Sequence, residues 1–158
     1  MNKLLQSIVV VALAFAGLVG NVGESRAAEE ANPARVAEVK QNYRDLWLGH
    51  IYWVQHAVLD TAKSSVAQQD AAKKEVDANT KQIADMIVPF YGEARSQQFL
   101  SLLDINIGAV REYSEATVAD NKSKQDAALA RLASNANDFG SFFSGINPHL
   151  PESTVRGL

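Results

Sequence analysis

The sequence predicts an all-α protein, a four-helix bundle built from two similar helical hairpins. Three observations predict it. Apolar residues recur at alternating steps of three and four over four long stretches, the spacing that collects them on one face of a helix. Glycine and proline are scarce, and Pro89, Gly92, Gly145 and Pro148 fall where those stretches end, where helices stop. The chain also echoes itself at a distance of 56 residues. Gln69-Asp70-Ala71-Ala72 returns as Gln125-Asp126-Ala127-Ala128.

The elements follow in order. Residues 1–27 begin with Lys3, continue through an almost wholly apolar run from Leu4 to Val19, and end with Ser25 and Ala27. That is the layout of a secretory signal peptide cut after Ala27, or one residue on after Ala28. The apolar run is shorter than the roughly 20 residues of a spanning helix. Residues 28–158 are expected to form one domain, with hairpin one over about 33–88 and hairpin two over about 93–145.

Helix 1 is expected to start at Asn32-Pro33, a capping residue followed by proline at the first helical position. Its seam runs Val36, Val39, Tyr43, Leu46, His50, Trp53, Ala57, and it fades near Ser64-Ser65. Helix 2 is expected from about Gln69 to Val88, with seam Ala72, Val76, Asn79, Ile83, Met86; Pro89 and Gly92 of "PFYG" break it,. Helix 3 starts near Glu93, carries Phe99, Leu102, Asn106, Ala109 and Tyr113, and ends around Asp120-Asn121. Helix 4 starts near Lys124 with Ala128, Leu132, Asn135, Phe139 and Phe142, and closes at Gly145 and Asn147-Pro148.

A shift of 56 also matches Gln41, Leu46, Ile51, Val54, Thr61 and Asn79 with Gln97, Leu102, Ile107, Val110, Thr117 and Asn135. Ten identities without a gap exceed what alanine-rich composition supplies by chance. They predict a duplicated hairpin and a bundle with pseudo-two-fold symmetry.

Each seam contains one polar residue where an apolar one belongs: His50, Asn79, Asn106 and Asn135. If the first hairpin turns near Val66, His50 and Asn79 lie about 24 and 20 Å from the turn at 1.5 Å per residue. The second hairpin repeats this about Lys122, so all four side chains are expected in one cross-section. Buried polar groups must find partners. The four can satisfy one another and fix register, or they can orient a small polar guest against an apolar wall. The second reading makes His50, Asn79, Asn106 and Asn135, with Trp47 and Trp53, the expected ligand-binding set. Gly49, Gly108 and Gly140 lie near this level, through close helix approach or to leave room. The aromatic run Tyr43, Trp47, Tyr52 and Trp53 reads mostly as core; Trp47 and Tyr52 fall off the strict seam, and the alternative for these two is a partner surface or a pocket mouth. His56 is off the face of His50 and is expected at the rim or surface.

Other chemistry is thin. One histidine and three amides make a poor transition-metal shell, and the Glu-x-x-His pairs of bundle di-metal sites are missing,. No nucleophile elbow, P-loop or dinucleotide fingerprint occurs,. Asp85, Asp104 and Asp138 flank the polar layer and read as exposed carboxylates. There is no cysteine, which excludes disulfides, thiolate metal sites and a lipoprotein anchor. From Ala28 onward there are 13 Lys plus Arg against 17 Asp plus Glu, a net charge of −4. Nucleic acid and anionic membranes are poor partners for such a chain.

The stretches LWLGHIYWVQHAVL, PFYG, LLDINIGAV and NANDFGSFFSGINPHL resemble a group of uncharacterised exported bacterial helical proteins. Their pattern is Leu-Trp-x-x-His-x-x-Trp, Pro-Tyr-Tyr-Gly, Leu-Leu-x-x-His-Ile and Asn-Ala-Asp with a closing Asn-Pro. The resemblance spans roughly Leu46 to Leu150. By position, Trp47, His50 and Trp53 match the first motif; Asn135, Ala136, Asn147 and Pro148 match the last. Asn106 stands where the pattern has a second histidine, and Asn137 where it has an aspartate. A symmetric two-histidine site would be half lost here, and the resemblance implies no activity.

The resulting expectation is an exported protein, periplasmic or extracellular, with no catalytic residues, no metal and no cofactor. Its leading role is non-enzymatic binding of a small polar ligand. The alternative is a structural or interaction bundle whose polar layer satisfies itself, and a metal-binding bundle comes third. Oligomeric state is left open.

Overall fold

A computed structural model describes residues 33–59, 65–147 and 150. The expected signal peptide, the expected cap at Asn32, the expected fading of helix 1 near Ser64 and most of the C-terminal tail fall outside the described residues. The described chain is an all-α four-helix bundle: α1 (Pro33–Leu59), α2 (Val66–Asp85), the single turn α3 (Val88–Tyr91), α4 (Glu93–Val118) and α5 (Lys122–Ile146).

Two helices start earlier than their apolar seams suggest, because their caps lie upstream. Ser65 and Gln68 form a capping box: the Ser65 side chain accepts from the Gln68 N–H, and Gln68 Oε1 accepts from the Ser65 N–H at 2.9 Å. That satisfies orphan donors of the first turn and starts α2 at Val66 rather than Gln69. Asn121 caps α5 by accepting from the Lys124 N–H at 3.1 Å, so α5 starts at Lys122 rather than Lys124. The two caps are themselves 56 residues apart.

The helix breaks follow local chemistry. "PFYG" does not end helical structure outright; it folds into α3, with Pro89 in the first turn, where its missing N–H costs nothing,. Gly92 then takes φ 80°, a left-handed value that favours glycine, and redirects the chain into α4. The Ser96 hydroxyl donates to the Ala84 carbonyl at 2.9 Å, tying the start of α4 to the end of α2. At the other end of α4, Asp120 has φ 51°. Asn121 N–H donates to Ala116 O at 2.8 Å and Asp120 N–H to Thr117 O at 3.2 Å. This is a Schellman closure with aspartate in the left-handed position.

α1 pairs with α2, and α4 with α5, as two antiparallel hairpins; α2 also lies along α4, and α1 touches α4. The contacts between hairpins are not evenly two-fold, since α1 approaches α5 less closely than α2 approaches α4.

Two apolar clusters fill the bundle. The larger holds Tyr43, Trp47, Ile83, Ala84, Ile87, Phe99, Leu103, Phe139, Phe142 and Phe143. Phe99 stacks on Phe142 with ring centroids 5.6 Å apart and meets Phe139 and Phe143 edge-on. The smaller cluster holds Val54, Val76, Ile107, Ala109, Val110 and Leu132.

The expected seams of α2 and α5 are closely followed: Val76, Asn79 and Ile83, and Ala128, Leu132, Asn135, Phe139 and Phe142, are all buried. In α1 the seam is displaced. The buried line is Tyr43, Trp47, His50, Val54, whereas Leu46 and Trp53 are half-buried. Trp47 is 5% exposed, so it belongs to the core, as the aromatic run reads, and the alternative of a partner surface does not hold for it. α1 is covered by both α2 and α4, and its inward stripe is wide enough to take the position next to the strict seam. Tyr52 does lie outside, at 53% exposed, with its ring against Trp53 and His56.

Phe99→Ala should cost about 3–5 kcal/mol in urea unfolding, the range for a truncated core phenylalanine. Phe90→Ala, at a 44% exposed ring, should stay within about 0.5 kcal/mol of wild type. Equal costs would contradict this placement of the core.

Candidate functional site: two amide clasps between the apolar clusters

In every helix the polar residue falls at the boundary between the two clusters. His50 lies between Trp47 and Val54, Asn79 between Val76 and Ile83, Asn106 between Leu103 and Ile107, and Asn135 between Leu132 and Phe139. His50 (4% exposed), Asn79 (8%) and Asn135 (1%) are buried. Asn106 is half-buried rather than buried, so this end of the layer is more open than the seam implied.

The four side chains form two pairs, each inside its own hairpin. His50 Nδ1 and Asn79 Oδ1 are 2.9 Å apart, and Asn79 Nδ2 donates to the Leu46 carbonyl at 3.1 Å. In hairpin two, Asn106 Nδ2 donates to Asn135 Oδ1 at 3.0 Å, and Asn135 Nδ2 donates to the Leu102 carbonyl at 3.0 Å. The pattern is the same in both. An asparagine of the second helix grips a side chain of the first helix and the carbonyl four residues before it. All three positions correspond at the spacing of 56. Among the described residues no hydrogen bond joins one pair to the other.

These bonds fix proton positions. The Leu46 carbonyl only accepts, so the Asn79 amide nitrogen must face it and the amide oxygen must face the imidazole. His50 Nδ1 therefore carries the proton and Nε2 is the bare nitrogen. The same reasoning turns the Asn106 oxygen away from Asn135. Burial pushes the His50 pKa below its usual value, with the Asn79 hydrogen bond opposing, so the ring is neutral near pH 7. Among the described residues neither His50 Nε2 nor Asn106 Oδ1 has a hydrogen-bond partner.

The aromatic surroundings are ordered. Tyr43, Trp47 and His50 climb α1 edge to face, with centroids 6.0 and 5.3 Å apart. The Trp47 indole nitrogen is buried and makes no hydrogen bond of ordinary geometry, yet it sits near enough to Tyr43 to favour the phenolate slightly. Burial dominates there and raises the Tyr43 pKa well above its usual value. Trp53 packs against the smaller cluster. Of the expected set, then, Trp47 and Trp53 lie on opposite sides of the polar layer.

Two of the neighbouring glycines, Gly49 and Gly108, are not dictated by crowding. A Cβ at Gly49 would meet Asn79 Nδ2 at 3.5 Å, an ordinary contact, and one at Gly108 would meet nothing within 4 Å. Gly140 is buried in α5. Sequence reasoning missed Thr80, fully buried beside Asn79, whose hydroxyl donates to the Val76 carbonyl at 2.6 Å. Its counterpart at the spacing of 56 is Ala136, so the echo gave no signal for it. Asp104 and Asp138 are exposed, and Asp85 is half-buried beside Lys81. The Asp104 pKa is raised, first by burial and then by Asp77, against the pull of Lys73. His56 is exposed.

Among the described residues no group of three or more His, Cys, Asp or Glu side chains is placed to hold a metal ion. No helix of the described residues is long and apolar enough to cross a membrane. Comparison with known protein families, curated proteins and solved structures finds no match.

Two outcomes follow for the clasps. Asn79→Ala strands the buried Nδ1–H of His50 and should cost about 1–3 kcal/mol. The double variant His50→Leu with Asn79→Leu leaves no polar group behind, so its melting temperature should match or exceed that of Asn79→Ala; a lower value contradicts the clasp. Acid supplies the second. The unfolded imidazole titrates near 6.5,, and the folded one lower. Between those values the unfolded chain binds more protons, so stability is complete above about 6.5 and falls as pH drops towards the folded value. His50→Asn copies hairpin two, should fold, and should remove this part of the acid slope in urea midpoints. An unchanged slope would place the titration elsewhere.

Proposed function

We propose that the protein is a non-enzymatic binding module, exported from the cell, that takes a small polar guest at the layer of His50, Asn79, Asn106 and Asn135. The observation that carries this reading is the bare acceptor left in each clasp. The asparagines of α2 and α5 use both of their polar atoms inside the hairpin, while His50 Nε2 and Asn106 Oδ1 stay unpaired among the described residues. Neither of these two atoms is among the buried atoms left without a partner, so each is reachable from solvent, and a guest or an ordered water can take up its free lone pair. The partially open Asn106 side supports access. Export rests on the signal-like residues 1–27, and the absence of any basic run argues against nucleic acid as a partner.

A second reading has its own support. Both clasps close within their hairpins, as a bundle needs if the layer serves only to fix register and pairing. The recurrence of caps, carbonyls and polar pairs at 56 residues supports descent of the two hairpins from one. The likeness to exported bacterial helical proteins is compatible with either reading.

Native mass spectrometry of the chain purified from its export compartment separates them. A mass lost on denaturation is expected for the binding module, and His50→Leu should abolish it while leaving the fold. A bare mass in both states would favour the register role, and an unchanged adduct in His50→Leu would remove the guest from this layer. The same spectrum counts subunits.

A further inference from the structure

We propose that the outward face of α1 is the interface of a homodimer, in which two copies of this helix lie antiparallel about a two-fold axis near the level of His50. The helix faces its own bundle with Tyr43, Trp47, His50 and Val54. Leu48 and Tyr52 stand one turn apart on the other side, 59% and 53% exposed,. The remaining exposed large apolar side chains among the described residues are Val66, Phe90, Ile105 and Val118, and no two of them share a helical turn. Apolar side chains scattered singly are ordinary on a surface, whereas adjacent ones mark a site of interaction. Neighbouring rings widen the patch. The centroid of Tyr52 lies 5.1 Å from that of Trp53 and 4.4 Å from that of His56.

The polar residues around the patch fit a second copy of the same helix. At about 100° per residue, positions eleven apart return to within roughly 20° of the same edge. Asp45 and His56 share one edge of α1 in this way, and Arg44 and Gln55 share the other. A two-fold axis across an antiparallel pair keeps each edge against the same edge of the partner helix and reverses the order along it. It sets Leu48 against Tyr52 of the partner subunit. It also sets the Asp45 carboxylate against an N–H donor, the partner's His56, and the Arg44 guanidinium against an amide oxygen, the partner's Gln55. No two like charges face each other. The antiparallel order is chosen by size and by dipole. It puts a small apolar residue opposite a large one at both turns, so the gap between the helices is even. A parallel pair would meet tyrosine on tyrosine at one turn and leucine on leucine at the next. Antiparallel helices also oppose their macrodipoles. Two apolar residues on one helix of each protomer cover less than the roughly 800 Å² per partner of a standard interface, so the dimer is expected to be weak, with a micromolar dissociation constant.

Sedimentation equilibrium of the chain purified from its export compartment, over about 1–500 μM, brackets that range. A reversible monomer–dimer equilibrium is expected. Leu48→Glu puts a charge at the centre of the contact and should weaken the dimer about tenfold or more; the position is exposed, so circular dichroism should be unchanged. Asp45→Lys and His56→Glu should each weaken it as well, and the double variant, which exchanges the two charges across the axis, should return to wild-type strength. A wild-type chain that stays monomeric throughout overturns the proposal. A dimer untouched by Leu48→Glu has its contact elsewhere and overturns it too. A double variant no stronger than the single ones overturns the antiparallel order, since a parallel pair sets Asp45 beside the partner's Arg44 instead.

Discussion

An asparagine amide placed in an apolar interior has to recover the hydrogen bonds it gave up in water, and it recovers them in one geometry. Its oxygen needs a donor and its nitrogen needs an acceptor. Asn79 meets the first need at His50 Nδ1 and the second at Leu46 O; Asn135 meets them at Asn106 and Leu102 O. A slide of α2 along α1 by one turn, about 5.4 Å, would break both bonds at once. Apolar side chains tolerate such a slide far better, because the hydrophobic effect is non-directional. The clasps therefore set the register within each hairpin, and the apolar clusters on either side supply the cohesion.

The surroundings support that division. The phenylalanine-rich cluster closes one end of the bundle and the aliphatic cluster the other. The capping box at Ser65, the Asn121 cap and the Asp120 closure decide where α2 and α5 begin, which places Asn79 and Asn135 at the height of their partners. The charged pairs lie on the surface, such as Lys81 with Asp85 at 2.5 Å, where a pair of this kind contributes about 0.3–0.5 kcal/mol. The two halves differ in the group each asparagine grips. Imidazole in one half and amide in the other make hairpin one the only one of the two clasps that can take up a proton as pH falls, and burial holds that uptake below the usual imidazole range.

Much of this was legible in the sequence, for identifiable reasons. Four helices follow from apolar periodicity, and the polar layer follows because His50, Asn79, Asn106 and Asn135 interrupt that periodicity one helix at a time. The height estimate was sufficient to place each pair on one level. It carries no information on azimuth, so it did not show that the layer resolves into two pairs or that Asn106 is half-open. Trp47 is buried although it lies off the strict seam, because the face α1 buries under two neighbours is wider than a three-four seam,. The early starts of α2 and α5 were hidden because the seams begin after the caps. The backbone carbonyls of Leu46 and Leu102 are invisible to any reading of side chains, and the proton on Nδ1 depends on one of them.

Hydrogen exchange of side-chain amides measures the clasps most directly. In 15N-labelled protein, an Nδ2 proton of Asn79 and one of Asn135 should exchange far more slowly than those of exposed Asn42 and Asn137, and both should be released together only on unfolding. Exchange of the Asn79 and Asn135 amides at the rate of the exposed ones would contradict the account, since it would mean that the layer is wet and that the register is held by something else.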